Sequence, residues 1–233
     1  MRAFPLVVNG ACALFYAYTL YYDYERTEDF QDIFPIPGNF WSKFVWLTMI
    51  NLSIQFLYHC AGTFFALTSK PYPPNTTPQN VFHFISTAIA FPLSVTVVIL
   101  FWGLVFIDPD FVLTDEGKLL LSIPWYNHAL HTLPLIAMIA DFVAWKHPQP
   151  RIYPALKATV VFIIFYLTDV HLMFFYTGKW AYPILQQLDL PKLLVFYVIC
   201  IAVFFLNFMI GYGLNSVIGP LQRPVPKPRK KKA

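Results

Sequence analysis

VFHFISTAIAFPLSVTVVILFWGLVFI, residues 81–107, is the stretch that decides the fold. It contains no Asp, Glu, Lys or Arg, and His83 is its one ionisable side chain. A helix rises about 1.5 Å per residue, so this segment outreaches the roughly 30 Å of hydrocarbon in a bilayer. Five further stretches meet the same demand for about 20 apolar residues, at approximately 4–22, 41–67, 119–145, 154–176 and 192–217. Polar, acidic or proline-bearing segments separate them at Asp23–Asn39, Lys70–Gln79, Asp108–Glu116, Lys146–Arg151 and Gly178–Pro191. Transmembrane strands would show about 10 alternating residues each, and these runs are longer and do not alternate. The expectation is an all-α fold: a polytopic membrane bundle of six transmembrane helices over residues 1–222, followed by a basic tail at 223–233.

Composition excludes an ordinary soluble domain. The 233 residues are 58% hydrophobic and 12% charged, against roughly 25% charged in soluble proteins. Cys12, Cys60 and Cys200 all fall inside apolar stretches, so no extracellular disulfide framework is read. The net charge of +4 comes from the tail, where Arg223, Lys227, Arg229, Lys230, Lys231 and Lys232 cluster. Without that tail the chain is slightly acidic, and no nucleic-acid partner is expected.

Charge also orients the bundle. With six spans, Arg2, Lys70, Lys146, Arg151, Lys157 and the tail cations share one side, and the positive-inside rule assigns it to the cytosol together with both termini. Most acids, including Asp23, Glu25, Glu28, Asp29, Asp32 and Asp189, lie on the other side. A cleaved signal peptide is the weaker reading of the first span, because its apolar run exceeds the usual 7–15 residues. Asn75-Thr76-Thr77 and Asn51-Leu52-Ser53 match the glycosylation pattern, but one is cytosolic in this topology and the other lies within a span. Lys230 and Lys231 resemble a dilysine signal for the endoplasmic reticulum, with a polybasic patch on anionic membrane lipids as the alternative. The expected location is the endoplasmic reticulum or cell membrane.

Polar side chains within hydrocarbon are costly and mark candidate functional positions. Thr48, Asn51, Gln55 and His59 recur at helical spacing and form one stripe on the second span. They serve either a site or hydrogen bonds between helices. The fourth span offers Asn127, His128 and His131, one turn apart. Two such histidines can chelate a metal, yet further ligands at matching spacing are missing. Asp141 and Asp169 are the acids within spans. Counted along their helices, Thr48, His131 and Asp169 fall in the same half of the membrane. A threonine hydroxyl is a weak nucleophile that needs a base, and an imidazole suits that role. Spacing alone leaves a Thr48–His131 pair open beside a purely structural role.

Four segments carry a resemblance. They are Lys43-Phe44-Val45-Trp46-Leu47-Thr48 with Ile54-Gln55, Ala90-Phe91-Pro92 with Phe101-Trp102, Pro124-Trp125-Tyr126-Asn127-His128-Ala129-Leu130-His131-Thr132, and Gly178-Lys179-Trp180-Ala181-Tyr182-Pro183. In order and spacing they resemble the androgen-induced gene family of six-span membrane threonine hydrolases. The resemblance implies hydrolysis of fatty acid esters of hydroxy fatty acids, with Thr48 as nucleophile, His131 as base, and no cofactor or metal. Asn51, one turn from Thr48, is then a candidate oxyanion donor, with Asn127 and His128 as supporting residues. Asp169 has no counterpart in the resemblance and is expected to orient His131 or His128 as the acid of a triad does. The rival reading is a small-solute transporter or a non-catalytic lipid-binding regulatory membrane protein. Transport is disfavoured by the lack of inverted repeats and paired broken helices.

Overall fold

The computed structural model describes residues 2–27, 34–37, 39–68 and 76–219. The basic tail, Lys70, Asn75, Glu28, Asp29 and Asp32 lie outside the described residues. The helices are α1 (Ala3–Glu25), α2 (Leu47–Thr68), α3 (Thr77–Ile107), α4 (Pro124–His131), α5 (Leu133–Trp145), α6 (Ile152–Thr177), α7 (Pro183–Gln187) and α8 (Leu190–Ile218). Short 3₁₀ turns at Phe40–Val45, Pro109–Phe111 and Gly117–Ser122 join them, and there is no strand among the described residues.

Four helices, α1, α3, α6 and α8, are long and apolar enough to cross a membrane, and α4 with α5 makes a fifth as a bent pair. At 22 residues α2 is long enough too, but Asn51, Gln55 and His59 lower its hydropathy. The outer surface is apolar: Phe106, Val217 and Tyr153 are each more than four-fifths exposed. Large apolar surfaces of this kind are stable against lipid rather than water. The chain is a multi-pass membrane protein.

The fourth apolar stretch departs from the single span read in the sequence. Its first turns are the 3₁₀ segment Gly117–Ser122, and the rest bends by 51° between α4 and α5. Pro134 explains the break: it has no N–H to donate and its ring crowds the carbonyl four residues back. The break leaves His131 at the last position of α4.

A second proline is absorbed differently. Ser86–Ala90 forms a π-helical turn just before Pro92 in α3. Pro92 cannot donate to the Ala88 carbonyl, which instead accepts the Thr159 hydroxyl of α6 at 2.9 Å. The Ala90 carbonyl accepts Gln55 Nε2 at 3.3 Å. The irregular turn thus supplies carbonyls to two neighbouring helices.

Small residues set the closest approaches. A Cβ on Gly62 would lie 2.2 Å from Asn9 Oδ1, and one on Gly211 would lie 2.5 Å from the Phe91 ring. Side-chain volume at either position would therefore push α1 from α2, or α8 from α3. Beside Gly62, Asn9 Oδ1 pairs with His59 Nδ1 at 2.9 Å, while Asn9 Nδ2 donates to the Pro5 carbonyl at 3.0 Å. The polar stripe of α2 is therefore divided: His59 serves α1, Gln55 serves α3, and Thr48 is left for a different neighbour.

Candidate active site

Thr48 is the second residue of α2. The turn that delivers it is held from three sides. Asn39 Oδ1 accepts the Trp41 N–H at 3.0 Å and starts the Phe40–Val45 turn. Trp46 Nε1 donates to the Ala181 carbonyl at 2.9 Å. The Leu47 N–H, an orphan of the first helical turn, donates to Tyr182 Oη at 2.8 Å. Nearby, Lys43 is buried with 1% exposure. It ion-pairs with Asp23, whose other carboxylate oxygen accepts the Tyr126 hydroxyl at 2.7 Å. A buried cation left unpaired would be costly, so this contact fixes the turn as well as the charge.

His131 meets Thr48. Its Nε2 lies 3.3 Å from Thr48 Oγ1, within hydrogen-bond reach. The other ring nitrogen, Nδ1, is 2.7 Å from Asn127 Oδ1, one turn earlier on α4. An amide oxygen can only accept, so Nδ1 carries the proton and Nε2 presents its lone pair to the threonine. Phe101 stacks flat on the imidazole, with ring centroids 3.4 Å apart and planes 2° from parallel. Trp102 Nε1 donates to the His131 carbonyl at 2.9 Å and to Thr132 Oγ1 at 3.1 Å. The ring is thereby fixed in plane, in depth and in tautomer.

The remaining sequence candidates fall elsewhere. His128 is exposed, and its Nδ1 lies 3.0 Å from Thr132 Oγ1. Asn51 is fully buried and its Oδ1 accepts the Ser94 hydroxyl at 3.3 Å; it lines neither of the cavities that reach Thr48. Asp169 has no hydrogen bond or ion pair among the described residues, and the position behind His131 is held by Asn127. Among the described residues no three His, Cys, Asp or Glu side chains converge in an arrangement that would hold a metal ion.

Two cavities meet at Thr48, sharing Thr48, Phe101, Val112 and Tyr182 as a common wall. The first runs between α3, α6 and α8 and is lined by apolar groups such as Leu100, Phe162, Ile201 and Phe204. It encloses about 970 Å³ of empty space, its open mouth included. The second holds His131 and is mixed in character, with Thr114, Glu116, Lys179, Gln186 and Gln187 among its lining residues. A hydroxyl at such a junction can be reached by a molecule with one long apolar arm and one arm bearing polar groups.

Sequence reasoning placed Thr48, His131 and Asn127 but gave no role to Tyr182. The Gly178–Pro183 segment that carries it was visible as a motif, although its contact with Leu47 crosses 135 positions of sequence and no local spacing reports it.

Known proteins agree with the sequence motifs. The profile of the FAR-17a/AIG1-like protein family matches residues 4–216. Human androgen-dependent TFPI-regulating protein is 25% identical over 179 residues, covering 75% of this chain and 76% of that protein. Human androgen-induced gene 1 protein is 28% identical over 145 residues, 61% of this chain and 60% of its own length. A UPF0641 membrane protein of Schizosaccharomyces pombe is 23% identical over 176 residues, 75% of this chain and 76% of its own. No solved structure matches the chain. With the profile covering nearly its whole length, this membrane protein belongs to the FAR-17a/AIG1-like family.

Proposed function

We propose that the protein is a membrane-embedded hydrolase that cleaves fatty acid esters of hydroxy fatty acids through a Thr48 nucleophile and a His131 base. The observation that carries the reading is the Thr48 Oγ1 to His131 Nε2 contact of 3.3 Å at the junction of two cavities. In this reading the apolar cavity takes the acyl chain and the mixed cavity takes the hydroxy fatty acid. His131 Nε2 removes the Thr48 proton as Oγ1 bonds the ester carbonyl carbon, and the tetrahedral intermediate then expels the alkoxide, which takes that proton from His131. Water repeats the sequence on the acyl-threonine, releasing the fatty acid and restoring both side chains. Asn127 is the residue that orients the imidazole.

The same reading places six spans across the bilayer: α1, α2, α3, the bent α4–α5 pair, α6 and α8. Both termini are cytosolic, on the strength of the Lys and Arg distribution. The cations clustered at 223–232 suit an anionic membrane surface, that of the endoplasmic reticulum or of the cell membrane.

The test is a fluorophosphonate probe on purified protein, read beside turnover of a fatty acid ester of a hydroxy fatty acid. Wild type labels and turns over, whereas Thr48→Ala does neither while still binding lipid. A Thr48→Ala protein with undiminished turnover removes Thr48 as the nucleophile, and a wild type that neither labels nor turns over leaves a lipid-binding regulatory protein as the better description.

A further inference from the structure

We propose that the hydroxyl of Tyr182 is the oxyanion donor of this site, a catalytic role that rests on the hydrolase reading above. An attacking threonine pushes the carbonyl π electrons onto oxygen, and a fixed donor aimed at that oxygen is often the largest single contribution to acyl-transfer catalysis. The position one turn along α2 does not supply it, because the Asn51 side chain is fully buried and lines neither cavity that reaches Thr48.

Tyr182 meets the requirement by its bonding. Its Oη accepts the Leu47 N–H at 2.8 Å and the Tyr166 hydroxyl at 3.2 Å. A phenol oxygen offers two lone pairs and one hydrogen. With both lone pairs engaged, the hydrogen is the only bonding capacity left, and no acceptor for it is found among the described residues. Two incoming donors also polarise the O–H, making it a better donor in turn.

Placement supports the same role. Leu47 immediately precedes Thr48, so the bond to its N–H holds the phenol beside the nucleophile's own backbone, where successive Cα atoms are about 3.8 Å apart. Tyr182 lines both cavities, as Thr48 does. The segment carrying it is held by contacts on both sides. Ala181 is anchored by Trp46 Nε1, Trp180 stacks on Phe174 with centroids 4.0 Å apart, and Pro183 starts α7 immediately after. During the reaction the electron pair that moves to the carbonyl oxygen is held by the Tyr182 O–H. It returns to re-form the carbonyl as the alkoxide leaves, and the phenol keeps its proton throughout.

The experiment uses full-length protein in detergent or nanodiscs, with Tyr182→Phe compared with wild type and Thr48→Ala. Turnover of Tyr182→Phe is expected to fall by about 10²–10³-fold. Its affinity for a non-hydrolysable ether analogue, which has no carbonyl to become an oxyanion, stays within about twofold of wild type. An isosteric 3-fluorotyrosine at 182, a stronger donor, is expected to raise kcat by about twofold or more with KM unchanged. The proposal is overturned if Tyr182→Phe keeps turnover within threefold of wild type while Thr48→Ala is inactive. It is equally overturned if ether-analogue binding falls in step with turnover, or if the fluorinated residue leaves kcat unchanged. An active Thr48→Ala protein is a different result, since it removes the Thr48 nucleophile on which this role depends.

Discussion

Thr48–His131 and a second histidine cluster lie about 15 Å apart along α2, and they share ingredients without sharing a purpose. In the second, the Tyr58 hydroxyl donates to Asp141 Oδ2 at 2.6 Å. The same oxygen lies 2.8 Å from His147 Nε2, and His147 Nδ1 lies 2.7 Å from His83 Nδ1. This is a carboxylate, two imidazoles and a phenol in one network, richer in titratable groups than the Thr48 site. Every member is buried, and none lines either cavity that reaches Thr48. The network ties α2, α3, α5 and the segment after α5 into one unit. Access therefore separates the two regions better than residue type does: a nucleophile and base matter where substrate can arrive, and an enclosed set of the same groups holds helices together.

The contrast can be broken most directly at the histidines. His131→Ala is expected to lower ester turnover by about 10²–10⁴-fold with little change in thermal unfolding. His147→Ala is expected to do the reverse, unfolding earlier while surviving molecules hydrolyse within about threefold of wild type. Loss of turnover in His147→Ala at an unchanged melting temperature would dissolve the distinction. Removing Asp141 strikes the enclosed network harder, because breaking a buried pair typically costs about 3–5 kcal/mol. Asp141→Ala should show a marked drop in unfolding midpoint in detergent, and an unshifted midpoint would mean that the network is not structural. Asn127 sharpens the comparison from the catalytic side. Asn127→Ala removes the acceptor that sets the His131 tautomer and is expected to lower turnover by about tenfold to a hundredfold, whereas Asn127→Asp retains an acceptor and most of the activity. Equal losses in both variants would show that size, not acceptance, is what matters there. The smallest effect belongs to Thr159→Val, which leaves the Ala88 carbonyl without its donor. A cost of about 1 kcal/mol in stability with unaltered turnover is expected, and a change in kcat would link the π-helical turn to the site.

Much of this architecture is legible in the chain because its signals are local. Apolar length marks the helices, and the i, i+4 spacing of Asn127 and His131 predicts their contact on α4. Thr48 is marked by its place on the polar stripe of the second span and by the family resemblance. What the sequence does not reveal is how one stripe is divided. Thr48, Asn51, Gln55 and His59 look equivalent in spacing, yet Thr48 meets α4, Asn51 and Gln55 meet α3, and His59 meets α1, because neighbours are chosen by packing rather than by period. Asp169 illustrates the same limit: a depth shared with His131 along separate helices says nothing of lateral distance. The bend at Thr132 hides in a hydropathy window that passes smoothly across Pro134. Tyr182 and the Asp141 network are assembled from remote segments, and each of their partners alone resembles an ordinary interfacial tyrosine or a lone buried polar group.

The shared wall of Thr48, Phe101, Val112 and Tyr182 carries a kinetic consequence. Under the proposed hydrolase reading, a substrate bridging it would be cut into two pieces that sit in separate chambers, so departure of the first product need not disturb the second. On that reading the hydroxy fatty acid would leave by the mixed cavity and vacate the space beside His131 in which water must then stand. The acyl chain would stay in the apolar cavity, attached to Thr48, until that water arrives. Turnover of this kind is ordered and double-displacement, with an acyl-enzyme burst whenever the second step is the slower.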